Sequence, residues 1–111
     1  MTLKQIYQMI ASVGVPVAYY QFTEATAKPT PFICYYYPGN ADFIADNVNY
    51  AGINELIIEL YTDNKDFELE ASVEAVLTAN EIPFGKTETF IETEKMYMIT
   101  YNTEVIINAE Q

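Results

Sequence analysis

The sequence contains no histidine, no arginine and no tryptophan, and its single cysteine is Cys34. Without histidine, acid–base catalysis near neutral pH requires a carboxylate, lysine or tyrosine whose pKa is shifted. A single cysteine can form neither an intrachain disulfide nor a cysteine-based zinc site. The apolar neighbours of Cys34 favour an inert, packed thiol over a reactive one. These absences predict a protein that is not an enzyme and that has no cofactor.

Positive charge is also scarce, because five lysines stand against sixteen acidic residues and the formal net charge is −11. A chain this acidic repels phosphate backbones, so we expect no direct or sequence-specific nucleic-acid binding. Apolar runs such as Leu56-Ile57-Ile58 are far shorter than the roughly 20 residues that a membrane-spanning helix needs. The first residues also lack the apolar stretch of a secretion signal. The sequence therefore predicts a protein without membrane attachment that folds in a reducing compartment.

Metal and phosphate sites have little support in the sequence. The carboxylate pairs are Asp63 with Asp66, Glu68 with Glu70, and Glu92 with Glu94. They lack the ligand spacing and the glycine of a calcium loop, so solvated charge at the start of a helix is the simpler explanation for those near residue 66. Gly39, Gly52 and Gly85 are isolated, and no glycine-rich loop precedes a helix. We expect no metal and no nucleotide.

Two segments have helical periodicity. Apolar residues from Leu3 to Val13 recur at steps of three and four, with Thr2 as N-cap and Gly14 suited to the helix end. A second helix follows the polar turn at residues 62–65, begins near Phe67 and ends at Asn80.

Several other segments have strand character. Alternating Leu56, Ile58 and Leu60 predict one buried and one mostly solvated face. The predicted strands are Val17–Phe22, Phe32–Tyr37, a short segment Asp42–Asn47, Ile53–Tyr61, and a hairpin of Phe84–Thr93 and Met96–Ile107. Helices and strands that do not alternate predict a single α+β domain over residues 1–111. We expect an antiparallel or mixed sheet of about five strands, with two helices packed on one face.

Tyrosine is abundant, with ten residues in the chain. Two runs of consecutive tyrosines, Tyr19-Tyr20 and Tyr35-Tyr36-Tyr37, lie in predicted strands. Consecutive strand residues point to opposite faces, so at least one ring of each run lies away from the main core. Such rings either form a half-buried rim or belong to a protein interface, where tyrosine is enriched. The candidate interface residues are Tyr19, Tyr20, Tyr35, Tyr36, Tyr37, Asp42, Asp46, Glu92 and Glu94.

Several segments resemble small structural proteins of Gram-positive tailed phages and prophages. These segments span most of the chain and are Val17–Phe22, Pro31–Tyr36, Ala45–Asn47, Glu59–Thr62, Ile91–Tyr97 and Tyr101–Val105. The resemblance implies a tail-terminator, head–tail joining or minor tail subunit that forms a homo-oligomeric ring and contacts other tail or connector proteins. It also implies that the protein is present in the host cytoplasm during assembly and afterwards in the virion.

Two other functions are compatible with the sequence. An acidic phage-encoded inhibitor could mimic nucleic acid and bind a host protein, because a patterned carboxylate surface can occupy a cationic groove. An enzyme or small-ligand domain would use a tyrosine or carboxylate pocket that the sequence does not locate.

Overall fold

The computed structural model describes residues 1–20, 29–38 and 52–108, and these residues form an α+β fold. The helices are α1 (Leu3–Ala11) and α2 (Phe67–Ala79). The strands are β1 (Val17–Tyr19), β2 (Phe32–Tyr36), β3 (Gly52–Thr62), β4 (Phe84–Ile91) and β5 (Met96–Ile107). Within the described residues, no helix is long and apolar enough to cross a membrane. The predicted strand Asp42–Asn47 lies outside these residues.

The five strands form one mixed sheet in the order β1-β2-β3-β5-β4. β1 pairs in parallel with β2, whereas the other neighbours are antiparallel. The centre of the sheet is the long pairing of β3 with β5, which runs from Gly52 opposite Ile107 to Thr62 opposite Tyr97. The predicted α+β class and mixed sheet are confirmed.

Helix α1 begins as its sequence predicts. The Thr2 hydroxyl accepts a hydrogen bond from the Gln5 backbone N–H at 3.1 Å, and the Gln5 side chain accepts from the Thr2 N–H at 2.9 Å. This reciprocal capping box satisfies two backbone donors that the helix itself leaves unpaired. Helix α1 ends at Ala11, and Gly14 adopts a φ of 98°, which favours glycine.

Helix α2 begins at Phe67, as predicted, and Asp66 is its N-cap. The Asp66 carboxylate accepts from the Leu69 backbone N–H at 3.0 Å. Asn80 caps the other end, as predicted. The first turn contains two carboxylates, Glu68 and Glu70, which the helix dipole favours. Glu68 is exposed to solvent, whereas Glu70 is buried.

The core lies on one face of the sheet. Ile58 faces Tyr101 across β3 and β5, and Leu60 faces Ile99. These side chains, like those of every second residue along each strand, point to the same side. Both helices contribute to the same buried cluster, α1 through Ile6, Met9 and Ile10, and α2 through Val73 and Leu77.

Strand β1 ends at Tyr19, and residues 21 and 22 of the predicted strand lie outside the described residues. Tyr20 has a φ of 71°, a left-handed conformation that is incompatible with an extended strand. Its backbone N–H donates to the Tyr35 carbonyl at 2.7 Å, which fixes this bend against β2. Strand β4 likewise ends at Ile91 before the turn at residues 92–95, where Lys95 has a φ of 52°.

Candidate protein-interaction surfaces

Four tyrosines pack together where α1 meets the β1 edge of the sheet. The Tyr19 ring lies edge-on to Tyr35 with centroids 5.2 Å apart, and 5.9 Å from Tyr37. Tyr7 of α1 lies 6.5 Å from Tyr35. The Tyr19 hydroxyl accepts from the Tyr37 backbone N–H at 3.3 Å. Tyr7 and Tyr19 form the outer layer of this cluster, with 45% and 39% of their surface exposed.

Tyr35 and Tyr37, two of the predicted interface residues, form the inner layer of this cluster. Only 8% and 6% of their surface is exposed, so the folded chain itself covers both rings. Tyr35 lies opposite Ile58 on the core face of the sheet, so its ring packs with the core. Strand alternation alone did not determine which residues of Tyr35-Tyr36-Tyr37 would lie on the core face. In the structure, the first and the third of them lie there.

Burial of Tyr35 has a measurable consequence at alkaline pH. Removal from water, reinforced by Tyr19 and Tyr7, raises the pKa of Tyr35 from 10.0 to about 12. Because the folded-state pKa is raised, this group contributes stability below pH 10 that is lost as the pH rises toward 12. We expect Tyr35→Phe to make the unfolding free energy less dependent on pH across that window. Denaturant titrations at several pH values would measure this, and an unchanged slope would contradict the burial of this hydroxyl.

Tyr36 points to the opposite side of the sheet, together with Cys34. The exposed Tyr20 ring lies 5.1 Å from the Tyr36 ring, and 62% of the Tyr20 surface is exposed. The Tyr36 and Tyr61 hydroxyls both donate to the Glu59 carboxylate, at 3.3 Å and 2.8 Å. Partial burial is the main cause that raises the pKa of Tyr36, and the negative charge of Glu59 is the next largest cause. The Cys34 thiol is buried, in line with its interpretation as a packed side chain.

The remaining predicted interface residues do not join the tyrosine cluster. Glu92 and Glu94 lie in the exposed turn between β4 and β5, where Glu92 is 3.6 Å from the ammonium of Lys95. That hairpin is at the opposite edge of the sheet from β1. Asp42 and Asp46 lie outside the described residues. The described candidates therefore divide between two separate surfaces.

A buried charge network on the core side of the sheet was missed by sequence reasoning. The Glu70 side chain is only 3% exposed, and its carboxylate lies 2.7 Å from the ammonium of Lys65 and 2.9 Å from that of Lys86. Lys86 also pairs with Glu74 at 2.7 Å, and Lys65 pairs with Glu88. Each lysine is therefore shared between two carboxylates. Glu70 had been interpreted as solvated helix-start charge, and this is wrong.

The hydroxyl of Tyr101 extends the network into the core. It donates to the Glu74 carboxylate at 2.9 Å, and the Tyr101 ring is fully buried. The sequence does contain a signal for this network. Glu70 and Glu74 are four residues apart and therefore lie on one face of a helix. Lys86 points to the opposite side of its strand from Gly85 and Thr87. What the sequence lacks is the packing of α2 against β4, which brings these two patterns together.

The electrostatics of this network indicate a structural role. Burial raises the pKa of Glu70, but the ammoniums of Lys65 and Lys86 more than offset this and hold the pKa below its usual value. The carboxylates of Glu70 and Glu88 raise the pKa of Lys65, and those of Glu74 and Glu70 raise that of Lys86. A lysine nucleophile or base requires a lowered pKa. Both ammoniums are therefore held in the charged state, where they act as counterions.

A further exposed surface lies on the face of the sheet opposite the core, at the end of β3 and β5. Ile53 and Ile106 face each other there, with 68% and 62% of their surface exposed. Glu55 and Glu104, the next outward-facing pair, are also directly opposite one another. Two adjoining grooves, of about 330 and 430 Å³, share Pro83 and Glu104 in their linings.

Among residues 1–20, 29–38 and 52–108, no three carboxylate or thiol side chains come together as metal ligands. The sequence matches no protein-family model, and no curated protein or solved structure is significantly similar to the chain.

Proposed function

We propose that this protein is a structural subunit of a tailed-phage particle, acting as a tail terminator or head–tail joining protein in an oligomeric ring. The sequence resemblance supplies the biological setting. The observation that supports assembly is the exposed aromatic edge formed by Tyr19 and Tyr20, at the end of a three-residue edge strand. Its contacts would be made with neighbouring copies and with other tail or connector proteins.

The geometry of this edge is suited to a protein interface. Tyr19 rests on the buried rings of Tyr35 and Tyr37, so its position is fixed before any partner arrives. A pre-positioned ring loses little conformational freedom on binding, and buried tyrosines carry a large share of interface energy. In a ring, each copy would present this edge to a different surface of its neighbour.

The charge distribution fits the same proposal. Lys65 and Lys86 are engaged in the buried network and Lys95 pairs with Glu92, so little positive charge is left on the described surface to offset the acidic residues. A ring lumen lined with carboxylates would let DNA pass without adhesion. Subunits with a net charge of −11 would also repel one another when salt does not screen them.

This predicts salt-dependent assembly of the purified protein. We expect a monomer at about 0.01 M salt and larger species near 1 M, because the screening length falls from about 30 Å to about 3 Å. The double substitution Tyr19→Ser and Tyr20→Ser should abolish the larger species and leave a folded monomer. Size-exclusion chromatography with light scattering measures both effects.

Phe67 provides a matched control for the tyrosine variant. It is an exposed aromatic residue at the start of α2, with 72% of its surface accessible. Phe67→Ser should assemble like the unsubstituted protein. A stable ring at the lowest salt, or equal loss of assembly in both variants, would contradict the proposed interface.

The acidic-inhibitor hypothesis is the second candidate function, and it has one supporting observation and one decisive experiment. The exposed pair Glu55 and Glu104, with no lysine in the linings of the adjoining grooves, is the observation that favours it. Recovery of a host DNA-processing enzyme with the tagged protein, together with normal virions after deletion of the gene, would support the inhibitor and exclude the structural subunit.

A further inference from the structure

The two grooves at the end of β3 and β5, on the face of the sheet opposite the core, combine apolar and acidic groups. Ile53 and Glu55 are exposed at alternate positions of β3, and the exposed side chains of Ile106 and Glu104 on β5 face them. Outward-facing residues of a strand repeat at about 7 Å, which is also the repeat of one face of any extended segment lying alongside. The surface therefore presents an apolar pair followed by an acidic pair, in a register that an extended chain can match.

The facing carboxylates of Glu55 and Glu104 have no cationic side chain beside them among the groove linings. Like charges directly opposite on neighbouring strands destabilise a sheet. Among the described lysines, Lys65 and Lys86 are held on the core side of the sheet, Lys95 lies in the turn between β4 and β5, and Lys4 on α1 lines neither groove. The Met1 amino group reaches this end of the fold, where it donates to the Ile106 carbonyl at 2.9 Å. A cation supplied by a partner would relieve the repulsion of the carboxylate pair.

We infer that the two adjoining grooves, which together are lined by Ile53, Glu55, Glu104 and Ile106, bind an extended segment of a different protein that carries lysine or arginine between apolar side chains. Apolar contacts to the two isoleucines provide binding energy, and the cation between the carboxylates sets the register. A second copy of this chain is a poor occupant, because docking through the same groove would place four glutamates together and supply no cation. The inference goes beyond the proposed ring, since it concerns the ends of the central strands β3 and β5, whereas Tyr19 and Tyr20 lie at the β1 edge of the sheet.

The test uses the purified protein and the blocked heptapeptide Ile-Ser-Lys-Ser-Ile-Ser-Lys, labelled for fluorescence anisotropy. We expect saturable binding, with NMR shift changes centred on the facing ends of β3 and β5. The double substitution Glu55→Gln and Glu104→Gln should weaken binding at least about tenfold. It should also raise the thermal unfolding midpoint, because it removes the facing like charges, and this confirms that the variant is folded. Replacing lysine by glutamate in the peptide should abolish binding.

The matched control is the double substitution Glu92→Gln and Glu94→Gln. It changes the net charge by the same amount, at an exposed turn at the opposite end of β5. We expect it to weaken peptide binding less than twofold. Equal weakening by the two double variants would show that peptide binding depends on the net charge of the protein and not on the groove. That result would overturn the inference. Self-association that is lost on Ile53→Ser and Ile106→Ser would overturn it too, since a second copy would then occupy the groove. Either result leaves the salt-series test of the ring unaffected.

Discussion

Replacing both network lysines, Lys65→Met and Lys86→Met, is expected to lower the free energy of unfolding by about 3–5 kcal/mol at pH 7. The reason is that Glu70, with its side chain 3% exposed, would lose both counterions. Glu70→Gln alone should cost less, because Lys65 keeps Glu88 and Lys86 keeps Glu74 at the partly exposed rim. Urea denaturation of the three proteins measures the differences.

The same double variant should reverse the pH dependence that comes from Glu70. In the unsubstituted protein the folded-state pKa lies below the usual 4.5, so Glu70 stabilises the fold above that value and the contribution is lost as the pH falls. Without the lysines, burial alone raises the pKa, and the folded state then binds the proton more tightly than the unfolded state. Protonating such a group at pH 7 costs about 3.4 kcal/mol, and the cost shrinks toward pH 4.5. The double variant should therefore recover relative to the unsubstituted protein as the pH falls from 7 to 5.

A triple variant provides the control for lost packing. Adding Glu70→Met to the two lysine substitutions removes the unpaired charge, and we expect most of the lost stability to return, since well-packed apolar groups can replace buried ion pairs. Persistence of the full loss in the triple variant would mean that lost lysine side-chain contacts, not a stranded carboxylate, destabilise the fold.

The second large effect is expected from Ile58→Ala, which should cost about 2–5 kcal/mol by opening a cavity in the core. Ile58 is only 1% exposed, and it lies between Tyr35 on β2 and Tyr101 on β5. Thermal or urea unfolding gives the loss directly.

Ile53 is the matched control, because it is the same residue type on the same strand and 68% of its surface is exposed. Ile53→Ala should cost less than about 1 kcal/mol, the range of strand propensity. Similar losses at the two positions would contradict the assigned register, because a shift of one residue exchanges the two faces.

The centre of the fold could be read from the sequence because local pattern and tertiary environment agree there. Alternation along β3 identified Leu56, Ile58 and Leu60 as core residues, and the two strands of the hairpin were located by β-branched and aromatic residues. The Thr2 cap was predictable because its chemistry involves only residues within one helical turn.

The candidate surfaces were less predictable because they depend on neighbours distant in sequence. The end of β1 is set by the left-handed backbone of Tyr20, for which its side chain gives no signal. Burial of Tyr35 and Tyr37 depends on which face α1 covers, and burial of Glu70 on the approach of Lys86 from β4. The exposure of Ile53 and Ile106 likewise follows from their position at the end of the sheet, while the residue type alone suggests the core.

The proposed role in a phage particle is tested most directly by deleting the gene and imaging the resulting particles by electron microscopy. Loss of a tail terminator should give tails of uncontrolled length, and loss of a joining protein should give separate heads and tails. Supplying the Phe67→Ser protein should restore normal virions, whereas the Tyr19→Ser and Tyr20→Ser variant should not. Normal virions in the absence of the protein would contradict the account.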